Sequence, residues 1–142
     1  MSNIILQKIA KLFLRVIAIT SILLLIRGHN NPGGGFIAAI ILSAGFIFYG
    51  IVFGSESIKS IIFFNTRIWM GIGLAIVLVA AILPVFVGQA PLTALWYINQ
   101  LPIIGTIHLG SPLLFDTGIF IGVTGLILSI IITIMEVLKW NT

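Results

Sequence analysis

Charge is the scarcest thing in this sequence, and its scarcity decides the fold class. Charged side chains make up 7% of the 142 residues, against 60% hydrophobic. A water-soluble domain carries about 25% charged residues, so this chain has too few to cover a surface facing water. The class is an all-α integral membrane protein of one domain, residues 1–142. The absence of cysteine excludes disulfides and thiolate metal sites. The net charge of +4 speaks to orientation before it speaks to a partner. No basic patch lies outside the membrane flanks, so nucleic acid is not an expected partner.

Four apolar runs read as spans, at about 9–27, 35–54, 68–87 and 113–137. The first begins with Lys8, Lys11 and Arg15 within about 60° of one another on a helix, a basic stripe at the headgroups. A signal peptide shares that layout, but no small-x-small cleavage site follows; Arg27, His29 and Pro32 do. Small residues at Gly35, Ala39 and Ser43, and at Gly118, Gly122, Gly125 and Ser129, mark faces where helix backbones approach closely. Pro84 falls near the end of the third run, where a kink is tolerable. Residues 88–112 contain Pro91, Pro102 and Pro112 with Trp96 and Tyr97, which suits an interfacial or re-entrant connection. Most cations lie before Arg15, between Ser55 and Arg67, and at Lys139. The positive-inside rule therefore predicts both termini in the cytoplasm, with Arg27 dissenting.

The most informative stretch is Arg27-Gly28-His29-Asn30-Asn31-Pro32-Gly33-Gly34-Gly35-Phe36, between the first two spans. Three glycines admit backbone angles that other residues avoid, and Pro32 disfavours helix at Asn31. It is no phosphate loop, since the Gly-Lys-Ser/Thr ending is missing. Histidine ordinarily titrates near physiological pH, so His29 is expected to be either a proton carrier or gate, or a hydrogen-bonding strut that fixes the turn. Asp116 is the acid at the outer end of the last span. It belongs either to an ion path, paired with His29 or His108, or to the start of its own helix, where the dipole favours it; its closeness to Pro112 favours the latter. Glu136 with Lys139, and Glu56 with Lys59, are expected surface pairs. His108 reads as a satisfied polar group. Two distant histidines without a carboxylate cluster make no metal site, and no nucleophile–base arrangement stands out.

At Gly28-His29-Asn30-Asn31-Pro32-Gly33-Gly34-Gly35-Phe36 the chain resembles the B subunit of the multisubunit monovalent cation/proton antiporters of the Mrp or Mnh type. Every fixed position of that family's Gly-His-Asn-x-Pro-Gly-Gly-Gly-Phe turn is filled. Phe115-Asp116-Thr117-Gly118-Ile119-Phe120 is similar to the element that opens the family's last span, and the resemblance covers essentially the whole chain. Ala38-Ala39 departs from it where the family often has glycine.

The resemblance implies a non-catalytic subunit of a hetero-oligomeric plasma-membrane complex. That complex exchanges cytoplasmic Na+ for external H+, and its large subunits are similar to the proton-pumping arm of respiratory complex I. It implies other membrane subunits and lipid as partners, no cofactor, and Na+ and H+ as cargo. It also leaves open the antiporter-like arm of a membrane-bound hydrogenase. Two roles are expected alternatives: His29 and Asp116 lining or gating an ion route shared with a neighbour, or a structural subunit that holds larger ones in register. A stand-alone multidrug exporter is disfavoured, because no acid lies mid-span.

Overall fold

A computed structural model describes residues 4–28, 33–62, 65–101 and 105–138, with the side chains of residues 97–109 outside that description. Among the described residues five α-helices form: α1 Ile4–Arg27, α2 Gly35–Phe53, α3 Ser55–Ile61, α4 Thr66–Ile82 and α5 Ser111–Val137. Four of them are long and apolar enough to cross a membrane, the third span running Thr66–Val87. At 19 residues, α2 extends about 28 Å, close to the roughly 30 Å hydrocarbon thickness. Buried residues make up no more than 28% of the most apolar stretch of any span. The outer helices α1 and α4 leave most of their residues exposed to lipid or a neighbouring subunit, while α2 and α5 are more covered.

The helices stand in single file, in the order α1, α2, α5, α4. Along α1 and α2, Phe13 meets Phe48 edge-on at 5.2 Å, and Lys11 Nζ lies 5.4 Å from the centre of the Phe53 ring. The α4–α5 crossing is built on glycine. A Cβ at Gly73 would overlap the Gly122 backbone, and one at Gly118 would come within 2.8 Å of the Val77 nitrogen. One at Gly125 would stand 3.0 Å from the Met70 nitrogen. Residue numbers rise on α5 as they fall on α4, so this pair is antiparallel. The pair α2–α5 is parallel: Gly35 meets Asp116 at one end, and Gly50 lies against Ile58 and Met135 at the other. A small apolar cluster of Ile58, Leu128, Ile132 and Met135, with Phe46, Ile62 and Ile131 against it, closes the latter end.

The connections carry elements that the sequence reading did not name. The break at 55–67 contains the short helix α3, and Lys59 on it bonds Glu56 at 2.8 Å and also pairs with Glu136 of α5. Glu136 thus has a partner distant in sequence, Lys59; the expected Glu136–Lys139 pair falls on Lys139, which lies outside the described residues. A hydrogen bond to Glu136, and then one to Glu56, hold the Lys59 pKa above its ordinary 10.5. At Pro84 the α-helix gives way to a 3-10 turn, Leu83–Val87, because proline removes a backbone donor.

The segment expected as interfacial or re-entrant holds an antiparallel hairpin, β1 Trp96–Leu101 with β2 Gly105–Gly110, in register from Trp96 opposite Gly110 to Leu101 opposite Gly105. Prolines at 91, 102 and 112 mask its β-prone stretches, although Pro102 falls between the strands and Pro112 after them.

Candidate functional site

The polar residues singled out by the sequence gather where α1 ends and where α2 and α5 begin. Gly28 follows α1. A Cβ there would overlap the Gly34 nitrogen, and one at Gly33 would lie 2.7 Å from the Leu24 carbonyl oxygen and 3.1 Å from the Gly28 Cα. The Gly34 N–H donates to Leu24 O at 3.3 Å. The corner is thus a pinch that draws the start of α2 onto the last turn of α1. Gly34 holds φ at 103° and ψ at 174°, a combination open essentially to glycine alone. His29, Asn30 and Pro32 lie outside the described residues. Phe36 is exposed on α2.

Asp116 comes to this corner from the other half of the chain. A Cβ at Gly35 would overlap the Asp116 carbonyl oxygen, and one at Gly34 would stand 3.5 Å from Asp116 Oδ2. Asp116 is not a cap of its own helix: α5 starts at Ser111 with Pro112 in its first turn, and no acid lies there. The carboxylate sits a turn further in, beside the start of α2, where free N–H groups and the helix dipole favour negative charge. The helix start that Asp116 lies beside is therefore that of α2, a neighbour, and not that of its own helix.

Asp116 also lines a cavity of about 330 Å3, with Ala80, Leu92, Ala94, Ser111, Pro112 and Phe115. Sequence reasoning did not find Ser111, which ties the connection down: its hydroxyl accepts from the Leu95 N–H at 3.0 Å, and its own N–H donates to Leu95 O at 3.0 Å. Only its place just before Pro112 hinted at a helix start. Leu92 in the same strap has φ of 65°, rare for a branched side chain. His108 lies on β2 opposite Ile98, on a strand instead of in an irregular connection, and its side chain lies outside the described residues. The structure brings Asp116 against Gly34 and Gly35, and Gly28 and Gly33 pack against each other and the same turn. Gly118, Gly122 and Gly125 lie on another face of α5, against α4.

A second polar region lies at the far end of the bundle. Lys59, Asn65, Thr66, Arg67, Ser129, Thr133 and Glu136 line a cavity of about 590 Å3 there, with two apolar isoleucines. The Asn65 side chain caps α4 by accepting from the Arg67 N–H at 3.1 Å.

Comparison with known proteins gives a consistent result. Residues 5–129 match the family described as "Domain related to MnhB subunit of Na+/H+ antiporter". Curated proteins of Staphylococcus aureus strains Newman, USA300 and COL, provisionally named antiporter subunit mnhB2, are 32% identical over 133 residues, covering 94% of each chain.

Proposed function

The chain belongs to the family of domains related to the MnhB subunit of Na+/H+ antiporter, and from that membership we propose that it is a non-catalytic, multi-pass subunit of a multisubunit Na+/H+ antiporter in the cell membrane. It works beside other membrane subunits, with Na+ and H+ as cargo and no resident cofactor. Both termini face the cytoplasm, so the glycine corner, Asp116 and the hairpin face outward. The relatives are antiporter subunits by name, which favours this setting over a hydrogenase arm.

Within the complex, Asp116 and His29 line or gate the outer end of an ion route formed with a neighbouring subunit. His108 is the remaining polar candidate on that side. The observation that carries this reading is the docking of Asp116 on the Gly34–Gly35 start of α2. An ionisable acid at a membrane helix junction is costly unless it is stabilised there, and here one is placed beside the start of α2 and a cavity. The competing reading, a subunit that only braces its neighbours, draws on the largely uncovered apolar helices.

Asp116→Asn and His29→Ala separate the two. Na+/H+ exchange is measured in everted vesicles, and assembly on a native gel. Exchange lost from a fully assembled complex supports the ion-route reading. Unchanged exchange, or loss that follows loss of assembly, removes it in favour of bracing.

A further inference from the structure

In a lipid-spanning helix a hydroxyl has no bulk water to turn to, and its usual answer is the carbonyl three or four residues back. Thr20, Ser21, Thr117 and Thr133 all do this, at 2.7 to 2.9 Å. Ser43 and Thr124 do not. Each is only 1% exposed, and neither hydroxyl oxygen has a hydrogen-bond partner among the described residues.

These two hydroxyls belong to one place. On α2, Gly35 lies against Asp116, Phe46 packs on the Leu128–Ile132–Met135 cluster and Gly50 meets Met135. Ser43 falls on that same stripe, so it faces α5. On α5 the glycines at 118, 122 and 125 face α4, while Leu128 and Met135 face α2. Thr124 shares the angular position of Leu128 and Met135, and so faces α2. The helices are parallel, and Gly35 with Asp116 sets their register. Ser43 lies about 12 Å below Gly35, and Thr124 about 12 Å below Asp116, so both stand at one level near the middle of the bilayer. The Trp69 Nε1–H is a third buried polar atom without a partner among the described residues. Trp69 stands on α4 against Gly125, the residue after Thr124.

We propose that Ser43 and Thr124 hold a water molecule between α2 and α5 at the membrane midplane. Water donates and accepts at once, so one molecule satisfies both hydroxyls and has bonding capacity left for a third group, the usual pattern for an internal water. A dehydrated cation fits worse. It needs a counter-charge, and the nearest described acids on α5, Asp116 and Glu136, lie about 12 and 18 Å along the helix axis. The apolar cluster beneath closes the seam on the other side. The bound water is a dead end and not a link in a conducting file; its work is to fix the parallel contact of α2 with α5.

The test is X-ray hydroxyl-radical labelling of the assembled complex in lipid nanodiscs. Radicals born from an internal water oxidise its immediate neighbours, so Phe46 and Leu128 are labelled although they are shielded from bulk solvent, while lipid-facing Leu126 is not. Ser43→Ala, Thr124→Val and the double variant each reduce that labelling to the Leu126 level. Thr124→Ser, which keeps a hydroxyl, retains it. In thermal unfolding of the same complexes, the second substitution adds no loss to the first. Absence of labelling in the unsubstituted complex overturns the proposal, as does labelling that survives the double variant. A melting temperature that responds to replacing Na+ by choline, and stops responding in the double variant, also overturns it by assigning the site to a cation.

Discussion

Glycine at 28, 34 and 35 does three separate jobs, and a methyl group at each fails for a different reason. At Gly28 it collides with the Gly34 nitrogen; at Gly35 it collides with the Asp116 carbonyl oxygen. At Gly34 there is room beside the carboxylate, but φ of 103° excludes an L side chain at low cost. Gly34→Ala is expected to cost about 1–3 kcal/mol through backbone strain alone, with helix contacts retained. Gly35→Ala is expected to push α2 off α5, at about 1–3 kcal/mol of overpacking, and to lower exchange together with assembly. Thermal unfolding of the assembled complex, paired with a native gel, distinguishes the two. The residues of this corner were legible from sequence, because glycine and proline runs announce a tight turn by chemistry alone. The arrival of Asp116 was not, since it depends on two helices eighty residues apart meeting in parallel, and no local pattern encodes that.

Among the elements, α4 and α5 form the closest pair, and its cause was visible as a glycine stripe on α5. Gly73 supplies the matching gap on α4. A leucine at Gly73 has no space against the Gly122 backbone, so Gly73→Leu is expected to separate the two helices and abolish assembly, read as loss of the complex on a native gel. Gly71, two residues earlier, has nothing within 4 Å of an added Cβ, and Gly71→Ala is expected to leave assembly intact.

The short helix α3 is held differently. Lys59 bridges Glu56 on α3 and Glu136 on α5, and its pKa is raised by them. Because the folded value lies above the unfolded one, the contribution is fully present below about pH 10.5 and is lost as pH climbs through the higher folded value. Half-exposed pairs of this kind are worth about 0–1 kcal/mol. Lys59→Met is therefore expected to lower stability by no more than that at neutral pH, with the difference vanishing in strongly alkaline buffer, as followed by chemical denaturation. Sequence spacing found the Glu56 half of this bridge, since i,i+3 neighbours are local. The Glu136 half was not legible, because it joins two helices far apart in sequence.

Across the whole molecule, a file of four spans leaves many large apolar side chains uncovered, and hydropathy alone made the number of those spans readable. Large side chains such as Ile19, Ile26, Leu74, Leu78 and Ile130 stand half or more exposed, as lipid or a companion subunit requires. The chain reconstituted alone into liposomes is accordingly expected to show no Na+/H+ exchange above empty vesicles, by a pH-sensitive dye, while the complete complex does. The single-file layout has a geometric consequence of its own. Among the described residues a palisade one helix thick encloses no lumen, so any ion that passed this protein would travel along its border, and the opposite wall of the conduit would have to be lent by a different polypeptide.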